Sequence, residues 1–400
     1  MTNQRSRHRR PRASRSAFTL VEIMIALTVG GIALSSIYAV GAASTRHFRE
    51  QQRISAAQTS LRSAMDRLKR DFQRAGFLST PNVQAGGEGC SLPGPVLDNT
   101  TASAGTGRLA AISMYTDNQS PRPPSLDPDD LNKWATVDQV LLIGNYTTAG
   151  EYPGVSVNAG GTTITFPATT QSFQRDFADW SGPNAGQCNQ TVFANAFAVG
   201  RMVRIHTQID RVFFSTIQQA TCAGTQATVV INDPVPPQCN PNLGWIAPVN
   251  VINVAAADAA GDQTSRTDTV NRVTILRRTE MSPIRKDTAL TPPASPLAID
   301  DRSILDYLVS FNVQFMITNP AVPSTINWAP ATEAAVRQNP ERIRGVIIDL
   351  VARTAEHEPE FDASRFQQGL AFKVLPTVGG ARVRSLHAEI LLTNIAYKGY

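Results

Sequence analysis

Glu22 has the most unusual chemical setting in this sequence. It is the one charged residue in a long apolar run, SAFTLVEIMIALTVGGIALSSIY at 16–38. A carboxylate in hydrocarbon is strongly disfavoured unless a cation accompanies it. An ionisable residue in such a segment therefore predicts a functional role together with a partner. The alternative is that Glu22 lies at the membrane surface and is simply solvated.

Two acidic segments have side chains of the types that bind metal ions. AEHEPEF at 355–361 places Glu residues around His357, and LDPDDLN at 126–132 contains three Asp residues. The second segment lacks the Gly and the distal Glu of a calcium-binding EF-hand loop. We interpret both segments as solvated acidic loops, and we predict no metal and no cofactor.

Motifs of the common enzyme classes do not occur in the sequence. It has no GxxxxGK[ST], no GxSxG and no HExxH, which are the signatures of phosphate-binding loops, serine hydrolases and zinc proteases. His206 and His387 fall in predicted strands, where a structural histidine is the simpler interpretation. We therefore predict no catalytic residues and no enzymatic activity.

Four cysteines, Cys90, Cys188, Cys222 and Cys239, lie beyond residue 80 and form no CxxC pair. An even number in an exported region is typical of disulfides. We expect Cys222 to pair with Cys239 as a local bridge and Cys90 to pair with Cys188. Closing the shorter loop would stabilise the fold by roughly 3 kcal/mol. The alternative is four buried thiols.

The net charge of +5 is unevenly distributed along the chain. Residues 1–17 contain six Arg and no acid, and residues 45–80 contain eight bases and three acids. The remainder has an excess of acids, so the charge does not indicate a nucleic-acid partner. The basic face at 45–80 could contact anionic lipid or DNA, although a solvated face, or one packed on neighbouring subunits, is the simpler interpretation.

The elements that must position Glu22 are helical. Ile23 to Ala43 contains no charge and is long enough, at ~30 Å, to cross a bilayer. A stripe of apolar residues at three- and four-residue steps then predicts an amphipathic helix: Ile54, Ala57, Leu61, Ala64, Met65, Leu68 and Phe72. No proline occurs between Phe18 and Ala75, and Gly76 is a plausible stop. The basic N-terminus should stay in the cytoplasm.

AFTLVE at 17–22 resembles the processing site of class III signal peptides, which type IV pilins and type II secretion pseudopilins carry. The resemblance implies cleavage by prepilin peptidase between Ala17 and Phe18, where Ala17 stands in the place of the usual Gly. It also implies N-methylation of Phe18 and retention of the apolar helix. Glu22 would then pair with the terminal amine of a neighbouring subunit and set its register in the filament.

Residues beyond 80 change to an alternating pattern that is typical of half-buried strands. Phe311 to Ile317 and Leu386 to Leu392 alternate most clearly. Further strands are predicted at 109–115, 137–146, 162–166, 201–207, 211–217, 227–231, 249–254, 270–277 and 343–351. Pro-rich segments between them are predicted to be surface loops. We therefore expect an α+β, pilin-like fold, in which a long N-terminal helix packs on a mostly antiparallel sheet.

The C-terminal segments ERIRGVIIDLVART at 341–354 and RVRSLHAEILLTNIAY at 382–397 are similar to the end of PilW-type minor pilins. The J-type pseudopilin shares this layout but is usually shorter. The expected organisation is a leader at 1–17, a transmembrane helix at 18–43, a stem helix at 44–77 and a periplasmic head at 78–400.

The resemblance implies a structural minor pilin in type IV pilus assembly, located in the inner membrane and then in the pilus. Its expected partners are prepilin peptidase, other minor and major pilins, the inner-membrane assembly machinery and the lipid bilayer. A type II secretion pseudopilin and a signal-anchored periplasmic enzyme or binding module are the alternatives.

Overall fold

A computed structural model describes most of the chain beyond the N-terminal 18 residues. The described residues are 19–79, 82–84, 108–115, 138–180, 186–208, 212–237, 243–258, 274–282, 296–318, 326–327, 336, 340–354, 371–375 and 379–396. They fall into two compact units, one up to Ser55 and one from Ala56 onward. Each unit is described by itself.

The longest element is helix α1, Leu20–Arg74, which is continuous through the glycine pair at 30–31. It ends where Gly76 adopts a φ of 75°. This left-handed conformation is accessible to glycine at little cost and closes a helix C-terminus. The stop predicted at Gly76 is therefore confirmed.

The other helices whose bounds lie in the described ranges are short. They are α2 (Gln171–Phe177), α3 (Gln190–Ala196) and α4 (Thr393–Ala396), with a 3-10 turn at Pro340–Arg342. Helix α3 begins at the N-cap residue Asn189, whose side chain accepts hydrogen bonds from the amides of Thr191 and Val192. An Asn cap of this kind satisfies amides that have no partner within the helix.

The described strands are all paired antiparallel. They are β1 (Asn82–Gln84), β2 (Arg108–Ala110), β3 (Ile112–Tyr115), β4 (Gln139–Gly144), β5 (Tyr152–Pro153), β6 (Ser156–Val157), β7 (Thr163–Pro167), β8 (Met202–Thr207), β9 (Val212–Ala223), β10 (Gln226–Ile231), β11 (Leu243–Asp258), β12 (Thr274–Met281), β13 (Pro296–Leu305), β14 (Leu308–Thr318), β15 (Ile326–Asn327), β16 (Ile343–Arg353), β17 (Ala371–Leu375) and β18 (Gly379–Leu391).

The larger sheet is joined through the long strand β11. The first part of β11 pairs with β8 and β5, and its second part pairs with β12 and β4. The path runs β13-β12-β11-β8-β9-β10-β7-β6, with β3 added beside β4. A smaller sheet has the order β15-β14-β16-β18-β17, and β1 and β2 form a separate pair.

The second half of α1 provides part of the main core. Its buried side chains include Leu61, Met65, Leu68 and Phe72, and the ring of Phe72 lies 6.5 Å from that of Phe315 on β14. The residues of β14 and β16 alternate between buried and half-buried positions, and the buried positions are mostly apolar. This alternation places one face of the smaller sheet in the same core as the stem.

A second core lies in a lobe formed by α2, α3 and the strands around β8 to β10. Its centre is a cluster of buried aromatic rings with centroid separations from 4.9 to 6.1 Å, namely Tyr152, Phe166, Phe173, Phe177, Phe193 and Phe197. Phe173 and Phe177, spaced four residues apart, place α2 in this cluster. The sequence analysis predicted neither α2 nor α3.

The expected disulfide pairing is wrong, because Cys188 is bonded to Cys222. The side chain of Gln190 explains the contact. Its amide nitrogen donates to the carbonyl of Ala220, and its oxygen accepts from the amide of Cys222. The start of α3 therefore lies against β9. Cys90 and Cys239, the expected partners, lie outside the described residues.

The predicted α+β class is confirmed, since a long N-terminal helix is followed by antiparallel sheets. A strand of the structure overlaps each segment that the alternation identified, including β14 and β18. Strand β13 was not predicted, because its start at Pro296 lies in a segment that we read as a surface loop.

Candidate assembly site on the N-terminal helix

Thr19 and Glu22 form a reciprocal cap at the start of α1. The amide and the hydroxyl of Thr19 donate to Oε2 of Glu22, at 3.0 and 3.1 Å. The amide of Glu22 lies 3.3 Å from the Thr19 hydroxyl oxygen, which accepts its hydrogen bond. This arrangement is a capping box, in which two amides of the first turn find partners. The structure thus gives Glu22 a partner within its own chain.

The helix beyond Glu22 presents an apolar surface all the way round. Large apolar side chains from Leu20 to Val40 are each at least half exposed, and Leu27 is 70% exposed. Among the described residues, α1 is the helix that has the length and composition to cross a membrane, and an 18-residue window within it has a mean hydropathy of 2.0. A surface of this kind needs lipid or other apolar helices as its surroundings.

The hydroxyl groups within this apolar surface are satisfied inside the helix. Thr28 donates to the carbonyl of Ile25 at 2.9 Å, Ser36 donates to that of Ile32 at 2.9 Å, and Thr45 donates to that of Gly41 at 2.8 Å. Such bonds remove the cost of placing a hydroxyl in hydrocarbon. Glu22 therefore differs from the other polar groups of this segment in having an ionisable side chain.

The predicted cleavage and methylation residues, Ala17 and Phe18, lie outside the described residues. Their neighbour Thr19 is the first described residue and directly precedes the helix. The structure places Glu22 in the first turn, three residues after the cap.

The other end of α1 is fixed by side chains of the head. The Tyr146 hydroxyl donates to the carbonyl of Asp71 at 2.8 Å, and the Asn394 amide donates to that of Gln73. In return, Arg74 donates to the carbonyl of Tyr146 at 2.9 Å. Carbonyls in the last turn of a helix have no partner within it. These contacts attach the stem to β4 and to the C-terminal segment.

The same junction depends on the close approach of β4. The amide of Gly76 donates to the carbonyl of Ile143 at 2.8 Å. A β-carbon on Gly144 would lie 2.5 Å from the carbonyl oxygen of Arg74, so a larger residue would displace the strand from the helix end. Glycine is therefore required at 144.

A buried ion pair joins the stem to the larger sheet. Nε of Arg278 on β12 lies 2.8 Å from Oδ2 of Asp71, and both side chains are largely buried. Arg278 also pairs with Asp300 on β13, and its guanidinium lies 5.8 Å from the centre of the Tyr146 ring. Burial raises the pKa of Tyr146, and the charge of Asp71 adds to this shift, whereas the charges of Arg278 and Arg74 oppose it.

The histidines of the predicted strands have structural partners. The rings of His206 and Trp245 lie 5.3 Å apart across β8 and β11. Nδ1 of His387 lies 2.7 Å from Oδ1 of Asp349, and this hydrogen bond is the main reason that the pKa of His387 is raised. Within the described ranges no cluster of His, Cys, Asp and Glu could hold a metal ion. The acidic segments at 126–132 and 355–361 lie outside those ranges.

Some functional contacts were not predicted from the sequence. Thr19 could have been identified, because Thr-x-x-Glu before an apolar run is the signature of a capping box. Asp71 also left a signal, since it adjoins Phe72 on the buried face of the stem. No local pattern in the sequence identifies Arg278, the partner of Asp71, or Asn394, which bonds to the end of α1. Each lies more than 200 residues from the helix residue that it contacts.

Comparison with known proteins identifies the N-terminal segment. Residues 12–38 match the family described as the prokaryotic N-terminal methylation motif. No curated protein matches the sequence. Among solved structures, the type IV-like pilin TTHA1219 from Thermus thermophilus is similar at 10% identity and a TM-score of 0.16, over 52% of this chain and 93% of that one.

The matched segment contains the Thr19–Glu22 box and most of the exposed apolar surface. An apolar helix and this motif together fit anchoring in a membrane. Although the family match covers only the N-terminal part, the chain carries an N-terminal methylation motif, and that motif supports a pilin or pseudopilin role.

Proposed function

We propose that this protein is a non-enzymatic minor pilin of the PilW type that takes part in type IV pilus assembly. Prepilin peptidase would cut between Ala17 and Phe18, and Phe18 would then be N-methylated. The chain would cross the inner membrane once, with its head in the periplasm, before it joins other minor and major pilins. The observation that carries the proposal is the methylation motif at 12–38, together with the exposed apolar side chains of α1 from Leu20 to Val40.

The apolar segment would contribute the driving force for the proposed assembly. Burying one large aliphatic side chain is worth about 1.5–3 kcal/mol relative to exposure in water. Because lipid is itself apolar, leaving it for a helix bundle depends on packing and on polar contacts between helices. Glu22 is the ionisable group of the segment that can supply such a contact.

Glu22 can take a second partner without losing its cap. Both donors of Thr19 use the same oxygen, Oε2. An ionised carboxylate accepts several hydrogen bonds. Oε1 of Glu22 can therefore accept a hydrogen bond from the terminal amine of Phe18 in a neighbouring subunit while the capping box stays intact. The proposed pair therefore needs no rearrangement of the helix start.

A neutral amide at position 22 tests this role. Glu22→Gln keeps the size of the side chain but removes its charge, and we expect it to reduce recovery of partner pilins and the number of assembled pili. Glu50→Gln, on the same helix, serves as the matched control. Unchanged assembly and partner recovery in Glu22→Gln would contradict the proposed pairing role of Glu22.

The J-type pseudopilin of type II secretion remains the alternative assembly, since the same motif serves both machines. Deleting the gene separates the two: loss of surface pili supports the proposal, whereas loss of protein secretion with normal pili favours the pseudopilin. A signal-anchored periplasmic enzyme or binding module predicts that neither phenotype depends on Glu22.

A further inference from the structure

The head contains a cavity of about 680 Å³ beside the end of the stem helix. Its lining comes from α1, α2, α3, β11, β12 and β13 and from the loop after β4. A volume of this size is typical of sites that bind small molecules. Five arginines contribute to the lining: Arg74, Arg175, Arg201, Arg278 and Arg302.

The floor of the cavity is buried, and its charged groups are paired. Arg201, only 1% exposed, forms a two-pronged ion pair with Glu280, with Nη2 and Oε2 2.7 Å apart. Asn250 donates to Oε1 of the same carboxylate at 2.8 Å and accepts from the amide of Tyr146 at 2.9 Å. This network connects Arg201, which directly precedes β8, to β11 and β12 beside the cavity.

The rim has more cationic than anionic groups. Asp300 is the shared partner of three guanidinium groups, those of Arg67, Arg278 and Arg302. Asp71 also pairs with Arg278, so two carboxylates face three cations and one positive charge remains. The local field is consistent with this excess, because burial and the charges of Arg278 and Arg302 lower the pKa of Arg67, while Asp71 opposes them.

Arg175, another arginine at the rim, also shares its carboxylate partner with a second donor. Asp176 accepts from Nε of Arg175 at 2.8 Å and from the hydroxyl of Tyr152 at 2.8 Å. Burial opposes the charged form of Asp176, but these bonds and the charge of Arg175 outweigh it and lower its pKa. Arg175 and Arg302 nevertheless keep 56% and 61% of their side chains exposed.

We propose that this cavity binds a small polyanion, a molecule with two or more phosphate or carboxylate groups, through the guanidinium groups of Arg175 and Arg302. The described carboxylates in the lining, Asp176, Glu280 and Asp300, are outnumbered by the five arginines. Guanidinium groups bind such oxygens with paired, charge-assisted hydrogen bonds. This inference does not depend on the role proposed in assembly.

The test is isothermal titration calorimetry of the full-length protein in a nonionic detergent. Pyrophosphate serves as the phosphate probe and citrate as the carboxylate probe, each with the ionic strength matched by sodium chloride. We expect saturable binding of at least one probe, weakened as the salt concentration rises. Saturation by neither probe would overturn the proposal.

Substitutions separate this site from general surface charge. Arg175→Gln and Arg302→Gln should each weaken binding by about ten-fold, the typical effect of losing a charge-assisted hydrogen bond. Arg277→Gln is the matched control, because Arg277 pairs with Asp301 on the same strands and does not line the cavity. Equal weakening in the control, or none in the rim variants, would contradict the assignment.

A further variant tests whether the open volume of the cavity is needed for binding. Ala149 lies in the lining and is exposed, so Ala149→Trp should fill the cavity and abolish binding without removing a charge. Unfolding curves without ligand should match the wild type for the Arg175, Arg302 and Ala149 variants, whose side chains are exposed. Arg277→Gln should also stay close to the wild type, since the Arg277 side chain is only half-buried. Unimpaired binding to a folded Ala149→Trp protein would show that the anion binds elsewhere.

Discussion

Arg278 on β12 forms a buried ion pair with Asp71 of the stem helix, 207 positions earlier in the sequence. We expect Asp71→Ala to lower the free energy of unfolding by about 2–3 kcal/mol, below the ~3–5 kcal/mol for a fully orphaned buried charge, because Asp300 still faces Arg278. Urea unfolding of the protein in detergent measures the change.

Asp66→Ala is the control for that measurement, because Asp66 lies on the exposed face of the same helix. It should change stability by less than about 0.5 kcal/mol. Equal effects of the two substitutions would mean that the Asp71 pair does not attach the stem to the sheet.

The disulfide between Cys188 and Cys222 closes a loop with a sequence separation of 34. In the chain-entropy model a loop of this size stabilises the fold by about 3–4 kcal/mol. Replacing both cysteines by serine should therefore lower the melting temperature of the head clearly. Peptide mapping under non-reducing conditions should recover a fragment that links these two cysteines, whereas a Cys222–Cys239 fragment would contradict the structure.

The pairing of these cysteines shows what sequence alone could not supply. The apolar stripe of the stem and the alternation in β14 and β18 are local patterns, so they predicted both elements. Which cysteines meet depends instead on Gln190 holding the start of α3 against β9. Such contacts depend on tertiary packing, and local periodicity does not encode them.

The functional residues also differ in whether the sequence alone could identify them. Glu22 stood out because a charge in an apolar run is locally visible, and Thr19 lies within the same four-residue motif. The residues around the cavity come from distant segments, as Arg175 on α2 and Arg302 on β13 illustrate. No short window of sequence brings them together.

The hydroxyl of Thr19 should determine how firmly α1 begins. Thr19→Val removes the hydroxyl and keeps the branched shape, so we expect a loss of about 1 kcal/mol at the helix start. Amide exchange at Glu22 and Ile23, measured by NMR in micelles, should become about five-fold faster, as that free energy implies.

Thr28→Val provides the comparison for the cap, because the hydroxyl of Thr28 bonds only to carbonyls within the helix. Exchange at Glu22 and Ile23 should stay at the wild-type rate in this variant. Identical exchange in Thr19→Val and Thr28→Val would argue against a capping box.

The pair of His387 and Asp349 should make one exposed face of the smaller sheet sensitive to pH. The raised pKa of His387 means that the pair stabilises the fold below the ordinary pKa of histidine, and that this contribution is lost as the pH rises through the raised value. NMR titration of the ring should show the raised pKa in the wild type and a lower one in Asp349→Asn.

Glu389 contributes to the same titration, since Nε2 of His387 lies 3.8 Å from its carboxylate. Glu389→Gln should therefore lower the pKa of His387 by less than Asp349→Asn does, because the hydrogen bond to Asp349 is the larger cause. The reverse order would show that the Asp349 contact is not formed in solution.

We propose that the apolar helix is an assembly element and that a cut within the motif at 12–38 produces its mature N-terminus. Intact mass and N-terminal peptide analysis of the protein from its native membrane test this proposal. We expect a mature chain that begins at N-methylated Phe18 and lacks the Arg-rich leader. A chain that retains the leader, or begins after the apolar segment, would contradict it.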